Sequence, residues 1–397
     1  MSEWKEYNLN EVYDFASGLS KGAAEFGFGH GFLGFKDVFH NFFAPDELTS
    51  LVNSTEKEQE SCSIKRGDVF LTRTSETDED LGMSCVALKD YPNATFNGFT
   101  KRLRPKGNVE ILPEYAGFYF RSPKFRGTVS GMSSITTRAS LNNSMLAQLT
   151  IDVPPIKEQK AIADTLISLH KKAELIQRQN QTISELSQTL YRRLLIQEDF
   201  ENWETRTLEE VCLKIASGGT PSTKVKEYYN GNINWYSTKE LNDNFLFESS
   251  SKITNEGLNN SSAKLFPENT VVIAIYASPT VGRLGILLND GAFNQAACGL
   301  ITNDEEVCFE YLYLHLLTSR QVLNDMACGS AQQNLSVGLI KEFSIPVPPK
   351  EIMEDFKKVI RPIFEKGKSI SRQISTLENQ KINLLNKLMT REAYISI

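Results

Sequence analysis

The chain has 397 residues, long for one ordinary domain, and its 40% hydrophobic and 23% charged residues mark a globular protein. Lys and Arg number 43 against 49 Asp and Glu, a formal net charge of -6, which argues against a small histone-like binder of nucleic acid but leaves room for a local basic patch. No apolar run is long enough to span a membrane, Met1-Ser2-Glu3-Trp4 does not begin a secretory signal, and six cysteines without a C-x-x-C pair read as reduced thiols of a cytoplasmic protein rather than a disulfide frame or zinc site.

Trp4, Leu9, Glu11, Val12, Ala16, Ser17 and Gly18 open the chain and recur as Trp203, Leu208, Glu210, Val211, Ala216, Ser217 and Gly218. Gly29-x-Gly31-x-x-Gly34 fits a nucleotide-loop pattern, but no buried β-run precedes it, so it is not read as a phosphate site. Asp68-Val69-Phe70-Leu71 reads as a strand, with Arg73 just beyond it, and Glu76 to Asp80 as a solvated acidic loop. From Lys101 to Arg138 lie Lys101, Arg102, Arg104, Lys106, Arg121, Lys124, Arg126 and Arg138, opposed only by Glu110 and Glu114, a net of +6. Tyr115, Phe118, Tyr119, Phe120 and Phe125 interleave with them. The pattern suits a surface that neutralises phosphates, with Arg also able to pair with guanine edges.

Ile151-Asp152-Val153-Pro154-Pro155 returns as Ile345-Pro346-Val347-Pro348-Pro349, an offset of 194, and each joint is followed by about 40 residues of helical pattern. In the first helix a 4-3 spacing runs Ile162, Leu166, Leu169, Ala173, Ile176, Asn180, Ile183, Ser187, Leu190, Leu194. In the second it runs Phe356, Ile360, Ile363, Gly367, Ile370, Ile374, Leu377, Lys381, Leu384, Leu388. Such a stripe is the seam of a coiled coil. The two copies show no insertion or deletion from residue 141 to residue 194, which favours helices that pack on each other over helices that pack only on their own front domains. Pro362 and Gly367 predict a bend or weak point in the second helix. About 39 residues make a rod of roughly 58 Å. Paired antiparallel, the helices would hold the front domains at opposite ends under a pseudo-twofold, a ruler of about 17 base pairs of DNA.

The second front domain is less basic. Thr220, Ser222 and Lys224 lie in a polar loop, Ser217 to Lys224; Tyr276, Ser278 and Arg283 follow the strong strand Thr270 to Tyr276; Asn294, Gln295, Gln332, Gln333 and Asn334 supply amides suited to adenine edges. The 194 offset places Gln332 where the first copy has Arg138, so two similar domains would read two different half-sites. His170 and His315 fall on helical runs and read as structural. No catalytic constellation is found.

The expected fold is mixed α/β, an internal duplication with boundaries 1–153 and 200–347 for the front domains and 154–199 and 348–397 for two long antiparallel coiled-coil helices. A DNA-recognition scaffold leads. A DNA-modifying enzyme in its own right and a protein-only coiled-coil adaptor are the rivals.

The two starts at Trp4 and Trp203, Ser217-Gly218-Gly219-Thr220-Pro221 followed by Gly231-Asn232-Ile233-Asn234-Trp235, the paired Val-Pro-Pro joints, Glu158-Gln159 and the long helices make the chain resemble the specificity subunit of type I restriction-modification enzymes. The first copy departs in Ser17-Gly18-Leu19-Ser20-Lys21, and the second joint carries Glu351-Ile352 in place of Glu158-Gln159. The resemblance implies two target-recognition domains, each reading half of a split double-stranded DNA target, with helices that set the gap. It implies docking of two methyltransferase subunits that bind S-adenosylmethionine and flip an adenine, and of two motor-nuclease subunits using ATP and magnesium. It implies no cofactor, metal or catalytic residue on this chain, and a prokaryotic cytoplasmic setting.

Overall fold

The computed structural model describes residues 4–74, 80–133, 140–197, 202–276, 280–327 and 334–395. Arg138, Ser278, Gln332, Gln333 and most of the acidic run, Glu76 to Glu79, lie outside them. The chain forms two compact units, Met1–Lys172 with Glu378–Ile397, and Ala173–Leu377.

Unit one holds an antiparallel sheet ordered Tyr13–Ser17, Thr100–Pro105, Val69–Thr72, Ser84–Val86. A second sheet pairs Phe26–Leu33 with Leu51–Val52 and, in parallel, with Thr95–Phe96. Lys5–Asn8 pairs with Thr150–Val153. Unit two repeats this order with Cys212–Ser217, Ala297–Thr302, Val271–Ala274 and Leu284–Leu287, and adds Asn244–Leu246 as a fifth, parallel strand. Its small sheet joins Tyr229–Tyr236 to Ser251–Ile253 and Gly291–Phe293, and Glu204–Thr207 pairs with Ser344–Val347. Even the irregularity recurs: Phe26 and His30 both oppose Val52, as Tyr229 and Ile233 both oppose Ile253.

The repeated letters now have physical causes. Leu9 and Val12, like Leu208 and Val211, are the buried side of a one-turn helix. Glu11 accepts the Asn8 N–H at 2.9 Å and Glu210 that of Thr207 at 2.7 Å, each closing the helix start. Leu9 N–H donates to Leu149 O at 2.8 Å, and Leu208 N–H to Phe343 O at 2.9 Å. Gly18 and Gly218 lie where a Cβ would come within 2.3 Å of Asn97 O and 2.0 Å of Phe293 O, so no larger residue fits either. Tyr115 Oη donates to Asp152 O and Tyr311 Oη to Pro346 O, both at 2.7 Å, tying each helical layer to its Pro-Pro joint.

The long helices run Ile156–Gln197 and Lys350–Met389. Every position of both 4-3 stripes is buried or half-buried. Ile162 and Leu166 join Leu385, Leu388 and Met389 in the core of unit one, with Leu384 packed against it. Tyr191 joins Met353, Phe356, Ile360 and Phe364 in that of unit two, with Leu194 against it. In unit two Tyr191 meets Phe356 while Ile183 and Ser187, earlier in the first helix, line the same small cavity as Phe364, later in the second. In unit one Phe42 receives both His170 and Lys381. The helices are therefore antiparallel within unit two, and they pack on the sheets of both units as well as on each other.

The second helix is continuous through Pro362 and Gly367. Gly367 is a packing site: a Cβ there would stand 2.7 Å from Phe245 Cε2. The helix starts are fastened differently. Glu158 accepts from Trp4 Nε1 at 3.1 Å, and Gln159 bridges Leu112 N–H, Glu110 O and Pro154 O. In the second copy Met353 is buried in the core, while Lys357 donates to Asp304 O at 2.5 Å and Arg361 pairs with Asp304 at 2.6 Å. The five described cysteines are unbonded and four are buried.

Tyr191 Oη lies 2.7 Å from His315 Nδ1, which fastens the end of the first helix to unit two. Burial pushes the His315 pKa from 6.5 down to about 4. The fold keeps the ring neutral, so its contribution is whole above pH 6.5 and is lost as the pH falls toward 4, by about 3 kcal/mol in total. Urea denaturation of the full chain across that window should show a flatter profile for His315→Phe than for the native protein. An identical slope would exclude His315 as the titrating group.

Candidate nucleic-acid interface

The basic run of unit one is not laid out as a surface. Thr100–Pro105 is an inner strand of the four-stranded sheet, so its side chains meet neighbours on both faces. Lys101 is buried and donates to Ser17 Oγ and Asn143 Oδ1, both at 2.9 Å. Arg102 is buried, stacks on Phe96 and donates to Ser63 O at 2.7 Å. Arg104 forms a fork on the fully buried Asp68, with bonds of 2.7 and 2.6 Å. Arg121 donates to Ser84 O, Val38 O, Phe39 O and Asn41 O at 2.7 to 2.9 Å, capping the helix Phe35–His40. Burial pushes its pKa down to about 10. Lys124 pairs with the buried Asp152, Arg126 donates to Leu81 O, and Lys106 donates to Asn10 O at 2.7 Å. Tyr115, Phe118, Tyr119, Phe120 and Phe125 are core. Lys101, Arg102, Arg104 and Arg121 of the +6 stretch are therefore corrected to internal fastenings, since a buried cation needs acceptors and these have found them, while Lys106 and Lys124 are exposed but engaged and Arg138 lies outside the described residues.

Arg73 differs. It is half-buried, and among the described residues its guanidinium has no hydrogen-bond or ion-pair partner.

Unit two brings several of the sequence candidates together. Thr220 Oγ1 donates to Gln295 Oε1. Trp235 Nε1 holds Gly219 O at 2.9 Å and Tyr229 Oη holds Pro221 O at 2.7 Å, so the small sheet props the loop from below. Ser222 and Lys224 are exposed on it. Asn294 turns the chain with its own carbonyl and Oδ1, accepting Ala297 and Ala296 N–H, and presents Gln295 to solvent. Tyr276 is 40% exposed. Arg283 is held elsewhere, by Asn242 Oδ1 at 3.1 Å. Asn334 is half-buried before the helix Val337–Glu342.

Sequence reasoning missed three residues. Lys264 Nζ donates to Ser217 O at 3.1 Å, and Lys214 Nζ stands 5.1 Å over Phe266. Both are exposed beside the Ser217 to Lys224 loop, and like Lys224 and Lys226 they have no carboxylate partner among the described residues. Phe99, in unit one, is 60% exposed. Matching Asn97-Gly98 to Asn294-Gln295 would have pointed to it.

A sequence model described as the type I restriction modification DNA specificity domain matches residues 1–185 and again 200–390. The chain belongs to this family. It is similar to the type I restriction enzyme HindI specificity subunit of Haemophilus influenzae, 23% identical over 478 aligned positions that cover 99% of this chain and 100% of the relative. It is similar to the MjaIX specificity subunit of Methanocaldococcus jannaschii, 24% identical with 86% of this chain and 81% of the relative covered. Its fold is similar to the crystal structure of the type I restriction-modification S subunit from M. genitalium, with a TM-score of 0.56 at 14% identity, covering 100% of this chain and 97% of that one. No described helix is long and apolar enough to cross a membrane.

Arg121 separates an internal fastening from a DNA contact. Arg121→Met should cost about 3 kcal/mol of folding stability, because four partly buried carbonyls lose their donor. The salt dependence of DNA binding by the assembled complex should keep its native slope. Native stability with a shallower slope would return Arg121 to the DNA surface.

Proposed function

We propose that the chain is the non-catalytic, DNA-reading subunit of a cytoplasmic type I restriction-modification complex, with each front domain reading one half of a split double-stranded target. The observation that carries this reading is the duplicated frame with unlike side chains on it. The two small-sheet bulges, the two one-turn helices and the two Pro-Pro joints coincide strand for strand, while the exposed turns differ: Asn97-Gly98-Phe99 against Asn294-Gln295-Ala296. A single frame carrying two surfaces suits an asymmetric target.

In unit two the interface is the propped loop with Thr220, Ser222 and Lys224, the Gln295 amide, and Tyr276. Lys214 and Lys264 would neutralise phosphates. In unit one it includes Arg73. Arg138, Ser278, Gln332 and Gln333 stay in the proposal on sequence alone. The exposed faces of the long helices would dock two methyltransferase subunits carrying S-adenosylmethionine, and two motor-nuclease subunits with ATP and magnesium would join for cleavage. The functional division runs 1–153 and 200–347 for reading, 154–199 and 348–397 for spacing.

The spacing claim is tested by adding one heptad to each helix at matched points, between residues 172 and 173 and between residues 377 and 378. Seven residues add about 10 Å, or roughly three base pairs, to the unread gap. Methylome sequencing of cells carrying the chain with its methyltransferase partner should report the same half-sites with a longer gap. Methylation at the original gap would overturn the role of the helices.

A further inference from the structure

Three features of unit one meet at the turn that follows Thr95–Phe96. Asn97 fixes the backbone: its Oδ1 accepts Phe99 N–H at 2.7 Å and its carbonyl accepts Thr100 N–H at 3.0 Å. Phe99 is held in that turn with 60% of its surface in water, the most exposed phenylalanine of the chain's described residues. Arg73 N–H donates to Phe99 O at 2.9 Å, continuing the ladder in which Thr72 opposes Thr100 and Leu71 opposes Lys101. With a period of two, Arg73, Phe99 and Lys101 stand on one face.

That face is positively charged. Among the described residues neither Arg73 nor Lys101 has a carboxylate partner, and the two cations repel: burial first, then Arg73, hold the Lys101 pKa below its ordinary value. This sets them apart from Arg104 and Lys124, whose charges are cancelled by Asp68 and Asp152. The turn thus presents an exposed aromatic ring beside two cations that have no carboxylate partner among the described residues. Left alone, the arrangement is unfavourable twice over, and an anionic partner with an apolar edge relieves both costs.

We propose that Phe99 is a specificity-determining residue of the first half-site, touching a thymine 5-methyl group in the major groove while Arg73 engages the adjoining phosphate. This rests on the DNA-reading function proposed above and names where in unit one that reading is done. Lys101 acts through its field, since its ammonium is occupied by Ser17 and Asn143. Unit two has the same ladder, with Ile275 N–H donating to Ala296 O at 2.8 Å, but carries different chemistry on it. Ile275 replaces Arg73, Cys298 replaces Lys101, and Gln295-Ala296 replaces Gly98-Phe99. Where the turn of one half-site offers an apolar probe, the turn of the other offers an amide one residue earlier, at Gln295.

The test uses the chain assembled with its methyltransferase partner, comparing the native complex with Phe99→Ala, Arg73→Gln and Phe99→Gln. Methylome sequencing reads the motif, and titration of an oligoduplex carrying that motif at several salt concentrations reads affinity. Phe99→Ala should weaken binding roughly tenfold and relax one thymine position of the first half-site. Arg73→Gln should weaken all sequences alike and lower the salt slope by about one. Phe99→Gln, which sets an amide on the same exposed turn, should change the preferred base at that position. The second half-site should be unchanged throughout, which shows the variants to be folded and assembled. A split native motif that all three variants leave intact, with native affinity, would overturn the proposal and leave the DNA-reading function standing. A native complex without any split motif would overturn that function itself.

Discussion

Neither front domain closes its core with residues of its own copy. Leu385, Leu388 and Met389 end the second helix yet belong to the same cluster as Trp4, Leu9 and Ile162. Tyr191, near the end of the first helix, lies among Trp203, Tyr311 and Phe356. The end of each helix is thus a core element of the other copy's unit. The rest of the architecture depends on this exchange. It explains equal helix lengths, because a helix too short would leave a core open to water. It also explains why the stripes hold Asn180, Ser187 and Lys381 midway while their ends are filled with large apolar groups: burial of several such side chains at about 1.5 to 3 kcal/mol each fixes the register more firmly than the polar middle could.

The same constraint governs charge. Arg102, Arg104 and Arg121 are desolvated by the packing of the first unit, and each is surrounded by carbonyls or a carboxylate. Their number says little about direct contact with a polyanion, because their donors are already engaged, although only Arg104 has its charge cancelled, by Asp68. Among the cations without a carboxylate partner in the described residues, those beside the proposed interfaces are Arg73 in one unit and Lys214, Lys224, Lys226 and Lys264 in the other. A chain of net charge -6 can then face DNA without a globally basic surface, at the few places where its positive charges have no internal partner.

Much of the fold was legible in the sequence because the duplication states it twice. Leu9, Glu11 and Val12 recur since burial and capping need those residue types, and Gly18 recurs since Asn97 O leaves no room for a Cβ. The stripes were legible because helical packing is periodic. The first site was not. Counting Lys and Arg between residues 101 and 138 treats them as equally exposed, whereas alternate residues of an inner strand and the inner side of two helices are hidden by partners far away in sequence, Asp68 and Ser63 among them. The packing role of Gly367 was hidden for the same reason: its cause is Phe245, more than a hundred residues distant. Phe99 was missed because a phenylalanine in a β-rich run reads as core, and only its turn shows otherwise.

The turn also explains how a duplicated protein acquires two specificities without losing its fold. At Asn97 and Asn294 the hydrogen bonds that shape the chain come from the asparagine itself and from backbone groups. The side chain of Phe99, 60% exposed, contributes nothing to that shape. Phe99 can therefore give way to an alanine, as at Ala296, at little cost in stability, since exposed substitutions away from caps and cores change it by only about half a kcal/mol, whereas Gly98 is buried where a Cβ would stand 2.1 Å from Ser20 Oγ, so the Gln295 of unit two has no room in unit one. Arg73 and Ile275 show the limit of this freedom, for the half-buried cation of one unit has become a fully buried aliphatic side chain in the other, and there the neighbours had to change as well, Lys101 giving way to Cys298. Divergence is easy where the backbone carries the structure and coupled where side chains do, so the proposed specificity residue Phe99 falls at a position of the first kind and the stabilising contacts at those of the second.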